Sequence, residues 1–206
     1  RMTMVASCEW VDVGSGLKGY YGKPDGTGPH PCLVVYIEAF GVNDHFKKLT
    51  QRLADEGFAT ITPDIYGGDT YSYEDLGNAI GKLKTMNDDI VIQQTEQCLD
   101  WLSDQSEADE KRSGVMGFCM GGRFTFLANA QLAGKFKGAS SFYGGGIGPI
   151  EDGAGRKVLL DRVAEMGAPI LFWYGSDDDS IQPDELGRIA QSMAEHKKQY
   201  TMTCFP

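Results

Sequence analysis

Cys119 lies in Gly117-Phe118-Cys119-Met120-Gly121, with Gly122 and Arg123 immediately after it. The spacing G-x-[Ser/Cys]-x-G suits a nucleophile presented on a sharp turn from a strand into a helix. There the neighbouring residues are pressed against strand and helix, and a side chain two positions away would collide. The helix N-terminus favours thiolate over thiol, and the Met120 amide is placed to donate to the oxyanion that forms when the sulfur attacks a carbonyl. Two other uses of such a stretch weigh against this one. A cysteine at a tight turn can be a buried packing residue, and glycines after a strand can cradle a dinucleotide. GxGxxG is absent here, and Gly144-Gly-Gly-Ile-Gly148 opens no clear helix.

A nucleophile of this kind works with a base and an acid that orients the base. The acids available are Asp177, Asp178 and Asp179 in one run, which also fits a solvated turn or helix cap. The histidines are His30, His45 and His196. His30 falls in a Pro/Gly loop, His196 inside a helical stretch, and His45 at a helix start close to Glu38.

The surrounding elements place these residues. Apolar, β-branched runs at 33–37, 58–62, 115–118, 139–143, 170–174 and 200–205 read as buried strands. Helix-period segments lie between them: one capped by Asn43 with Phe46, Leu49 and Leu53 on one face and Gly57 as its stop, then 88–103, 121–133 and 184–197. A glycine- and tyrosine-rich excursion covers 67–81, and Asp64 braces the turn before it. Stretches 8–13 and 17–21 form an antiparallel pair at one edge. Alternation of this kind predicts an α/β fold, a mostly parallel twisted sheet with helices on both faces and its ligand site beyond the C-terminal strand ends. No repeat or linker interrupts 1–206, so a single domain is expected.

Composition narrows the function. With 19 Lys plus Arg against 29 Asp plus Glu, the formal net charge of −10 argues against nucleic acid and anionic membranes as partners. No window is apolar for long enough to span a bilayer, and the N-terminus lacks the regions of a signal peptide. Arg1 ahead of Met2 reads as an addition. The cysteines at 8, 32, 98, 119 and 204 form no CxxC pair and have no metal spacing with the histidines, which fits reduced thiols in a cytoplasm.

At this point the sequence resembles the dienelactone hydrolase family of cysteine-dependent α/β hydrolases. The resemblance runs from about residue 15 onward. It rests on Ile37-Glu-Ala-Phe-Gly-Val-Asn43, on Leu53-Ala-Asp-Glu-Gly-Phe58 leading to Thr62-Pro-Asp-Ile-Tyr-Gly67, on Gly117-Phe-Cys-Met-Gly-Gly122, on Phe142-Tyr-Gly144, and on Tyr174-Gly-Ser-Asp-Asp-Asp-Ser-Ile-Gln-Pro183. It implies an ester or lactone hydrolase acting through a Cys119 acyl-enzyme, with no metal or organic cofactor. By the same resemblance Asp178, three positions after Gly175, is the triad acid, with Asp177 next in line. Glu38 assists release of the thiol proton, and the Ala39 and Met120 amides form the oxyanion hole. Tyr143 lines the pocket, and Lys82, Lys84 and Arg123 are the cations available to a substrate. The implied partner is a small ester or lactone, for a chain that is a monomer or weak homodimer.

The family's base lies just beyond the last strand, where this sequence reaches Phe205-Pro206. The domain therefore reads as lacking the segment that follows that strand. Two readings stand beside the enzyme: a catalytically impaired hydrolase-fold binding or interaction protein, and an enzyme whose histidine lies beyond Pro206. His45 is a candidate substitute base.

Overall fold

Residues 30–36 and 59–63 are the most thoroughly buried strands, because apolar and threonine side chains point to both faces and helices must cover each. The computed structural model describes residues 5–151 and 155–206, so Arg1 and Met2 fall outside it. Its strands are β1 (Ser7–Gly14), β2 (Leu17–Lys23), β3 (His30–Tyr36), β4 (Ala59–Pro63), β5 (Ala108–Phe118), β6 (Phe136–Phe142), β7 (Ile170–Gly175) and β8 (Tyr200–Phe205). They form one sheet in the order β1-β2-β4-β3-β5-β6-β7-β8. The β1–β2 and β2–β4 pairs are antiparallel and every other pair is parallel. The architecture is the mostly parallel α/β sheet expected from the alternation of segments.

The helices are α1 (Asp44–Asp55), α2 (Leu76–Leu83), α3 (Asp88–Ser103), α4 (Met120–Gln131) and α5 (Pro183–Glu195). Asn43 caps α1 by accepting the Phe46 N–H at 3.2 Å, and Gly57 turns the chain out with φ +94°. Helix α1 packs on β1, β2 and β4, whereas α3 and α4 pack on each other and on β5. The core between sheet and helices is rich in aromatics, with Tyr36, Phe46, Phe126 and Phe172 fully buried. Near the C-terminal strand ends Phe118, Phe142, Trp173 and Phe205 stack in a row with successive centroids 4.6, 5.9 and 6.2 Å apart.

Three features differ from the sequence expectation. The 67–81 excursion gives way to a helix, α2, which Asp75 caps by accepting the Asn78 N–H. A 3-10 helix at Leu160–Glu165 went unread because so short an element carries no periodicity. Strand β5 starts at Ala108, well before the apolar residues, because Ala108 and Asp109 pair with His30 and Pro31 and residues 110–112 then bulge out before Ser113 resumes the ladder opposite Cys32.

Candidate active site

Strand β5 ends at Phe118 and α4 begins at Met120, so Cys119 alone makes the turn. Its backbone sits at φ +56°, ψ −119°, a conformation that costs a non-glycine residue of order 1–3 kcal/mol and persists only where surroundings over-determine it. Those surroundings are backbone. The Cys119 N–H donates to Phe142 O at 2.9 Å, and its carbonyl accepts the Gly122 N–H at 2.9 Å. A Cβ on Gly117 would fall on the Gly121 backbone. One on Gly121 would lie 2.6 Å from Tyr36 O and 2.7 Å from Ile37 O, and one on Gly122 2.7 Å from Phe142 O. Gly117 is therefore required by the turn folding back on itself, and Gly121 and Gly122 by other chain segments passing against them.

The sulfur is largely enclosed. Burial pushes the Cys119 thiol above its ordinary value, the Met120 N–H bonded to it pulls down, the charges of Glu38 and Asp178 push up, and Arg156 pulls down. The Met120 amide thus points at the sulfur from the first turn of α4. Glu38 follows directly on β3 and is half-buried; desolvation raises its carboxyl above the usual range, opposed by His45 and by a Tyr143 hydroxyl donating to Oε1 at 3.5 Å. Such a carboxylate holds a proton more readily than a solvated one. Ala39 is buried beside it. Tyr143 sits at φ +38°, its amide donating to Trp173 O at 2.7 Å, which turns the phenol over Glu38. Desolvation and the Glu38 charge raise that phenol's pKa, so it stays neutral.

Of the three aspartates, Asp178 is the one whose charge acts on Cys119. Its Oδ1 accepts from the Ser180 N–H at 2.9 Å and the Ser180 hydroxyl at 2.5 Å. Asp177 accepts from the Ser176 hydroxyl at a longer 3.4 Å. Asp64 accepts from the Tyr66 and Gly68 amides, bracing its turn.

Arg123 requires a correction. The side chain is fully buried, its guanidinium held by Asp88 at 2.6 and 3.0 Å and by Lys157 O at 3.0 Å. It ties α4 to the start of α3 and does not open into the site. Its neighbourhood of glycines gave no hint of this, since the partner lies on another helix. Lys82 is paired with Asp69 at 2.7 Å, and Lys84 caps the end of α2.

The cavity at Cys119 measures about 420 Å³ and is lined by Ile80, Leu83, Met120, Pro149, Arg156 and Glu185 among others. Sequence reasoning passed over Arg156 and Glu185, because a loop arginine and a helix-cap glutamate carry no spacing signal. Among the described residues, no histidine lines this cavity. His30 begins β3 opposite Ala108, at the far end of the sheet from the Tyr36–Gly117 pair, and His196 caps the distal end of α5. His45 alone comes near, through its effect on Glu38. Among the described residues, no cluster of three His, Cys, Asp or Glu could hold a metal, and no helix is long and apolar enough to cross a membrane.

Known proteins share this arrangement. A Yersinia pestis protein assigned as a carboxymethylenebutenolidase is 31% identical over 190 residues, which span 87% of this chain and 68% of that one. A Bradyrhizobium protein assigned as a 2-oxo-3-(5-oxofuran-2-ylidene)propanoate lactonase is 28% identical, over 98% of this chain and 83% of its own. The crystal structure of a protein assigned as a dienelactone hydrolase from Klebsiella pneumoniae superposes with a TM-score of 0.89 at 27% identity, covering 98% of this chain and 85% of that one. The profile of the dienelactone hydrolase family matches residues 17–206, and the chain belongs to that family of α/β hydrolases.

Proposed function

We propose that this hydrolase opens a carboxylic ester or lactone through an acyl-enzyme on Cys119. The observation that carries the reading is the turn itself: a strained Cys119 whose sulfur receives the Met120 N–H, borders an open cavity and lies within reach of the Glu38 charge. In the proposed course Glu38 accepts the thiol proton as the sulfur adds to the carbonyl carbon. The Met120 and Ala39 amides stabilise the oxyanion. Collapse breaks the carbon–oxygen bond, and the proton on Glu38 goes to the departing alkoxide. Water then hydrolyses the thioester. By the family resemblance Asp178 takes the place of the triad acid, although no histidine among the described residues lining the cavity is there for it to orient. Tyr143 shapes the pocket above Glu38, and among the described residues Glu38, with the His45 charge acting on it, is the group placed to activate the water.

The names of the Yersinia and Bradyrhizobium relatives support an unsaturated lactone or related small ester as substrate. The acidic charge and reduced cysteines support a cytoplasmic protein without nucleic-acid or membrane partners, a single domain acting as monomer or weak homodimer. The test is mass spectrometry of the protein after brief exposure to p-nitrophenyl acetate, with Cys119→Ser alongside. An acetyl group on the Cys119 peptide, formed in step with p-nitrophenolate release, is the expected result. Release without any adduct would sink the acyl-cysteine reading. So would unchanged release by the Cys119→Ser variant with no acetyl ester on the substituted side chain.

A further inference from the structure

The charges around Cys119 oppose its ionisation. Glu38 and Asp178 both act on it as anions, and Tyr66 and Tyr143 face it as neutral phenols. His45 acts on Glu38, and the cavity wall adds Glu151 and Glu185. A thiolate in this company needs a positive counter-charge nearby. Among the described residues lining the cavity, the cation is Arg156.

The position of that cation is built into the chain. Gly146 lies at φ +72°, and a Cβ there would strike Arg156 Nη2 and come within 3.1 Å of Cζ. The guanidinium therefore rests on the bare backbone of Gly146, in space that a side chain would take. The loop that forms this seat follows β6, whose last residue, Phe142, accepts the Cys119 N–H. A single connection thus holds the nucleophile's backbone at one end and supports the cation at the other.

We propose that Arg156 is a positioning residue of this site: seated on Gly146, its fixed positive charge stabilises the Cys119 thiolate against Glu38 and Asp178. The inference rests on Cys119 being the nucleophile and adds a residue that acts through it. A guanidinium is suited to the task because it stays charged across the whole range in which a thiol titrates.

Iodoacetamide tests it, since the sulfur–carbon bond forms as iodide leaves and the rate follows the thiolate fraction. The reagent is neutral, so Arg156 cannot attract it. Alkylation of the Cys119 peptide is followed by mass spectrometry from pH 6 to 10 in wild type, Arg156→Met and Arg156→Lys, with melting curves confirming that each is folded. The expected result is a midpoint about half to one pH unit higher in Arg156→Met, equivalent to about three- to tenfold slower modification at neutral pH. Arg156→Lys should recover most of the difference. Superimposable profiles for wild type and Arg156→Met would overturn the inference while leaving Cys119 as nucleophile. A lysine variant as slow as the methionine one would overturn it too, because loss of packing rather than charge would then be responsible. If Cys119 resists both alkylation and acylation in the wild type, the nucleophile reading falls, and this inference with it.

Discussion

Two strand–turn–helix units of the same sheet deliver the two ends of the candidate site, and they are held by opposite means. In the β5–α4 unit the chain passes from strand to helix through Cys119 alone, and glycines are pinned by the backbones of β3, β6 and the residues beyond. Helix α4 is buried from Met120 to Ala130, Arg123 included, and begins without a side-chain cap. In the β7–α5 unit residues 176–182 form a loop, and Asp178 is fixed by hydrogen bonds to nearby Ser180. Helix α5 starts at Pro183, with Glu185 accepting the Gln182 N–H, and of its residues only Ile189 and Met193 are fully buried. A nucleophile that must sit in a strained conformation is held by the tertiary structure. An acid that needs only to present a charge is held by its own loop.

The contrast can be broken where it is strongest. Gly121→Ala puts a methyl group against two carbonyl oxygens of the β3 end, so a loss of about 3 kcal/mol in urea unfolding is expected. A loss below about 1 kcal/mol would show that the turn yields more readily than the geometry implies. The acid loop is tested through activity rather than stability. Asp178→Asn, which removes an anion acting on Cys119, should change kcat/KM for a small ester about tenfold, while Asp177→Asn stays within about twofold of wild type. Equal effects would remove the distinction between them.

Gly187 lies on the exposed side of α5 with open space where a Cβ would go. Gly187→Ala should therefore stabilise the protein by about 0.5–1 kcal/mol in the same urea measurement, opposite in sign to the elbow substitution. The smallest effect concerns Glu38. Burial raises its carboxyl pKa, so the folded chain binds this proton more tightly than the unfolded one. Its contribution to stability falls as pH rises from the unfolded carboxylate value through the folded one. Glu38→Gln should melt about 1–2 °C higher than wild type at pH 7, and the difference should vanish near pH 4 in paired thermal scans.

The same contrast explains what could be read in advance. The α3 boundaries, the Asn43 cap and the β1–β2 pair were legible because periodicity, caps and turns act within a few residues. The glycine pattern around Cys119 was legible because three close approaches leave the same mark at fixed spacing. Arg123 was misread as a substrate cation because its partner Asp88 is brought in by tertiary packing alone. Arg156 was missed because its seat, Gly146, is one glycine among several in a loop without a period. Helix α2 was obscured by Gly77 and Gly81 within it.

The pairing at the middle of the sheet also has a consequence in time. Strands β1 and β2 meet across a tight turn, a contact that forms in about 1–10 μs once both are made. Strand β3 can pair with β4 first, but its other edge must wait for β5, because Tyr36 pairs with Gly117 only after the intervening chain has been synthesised and looped back. Parallel pairing across so long a loop is intrinsically slow. On the ribosome the segment bearing Glu38 therefore emerges well before the Cys119 turn that it braces, and the two become ordered together, late, when the centre of the sheet closes.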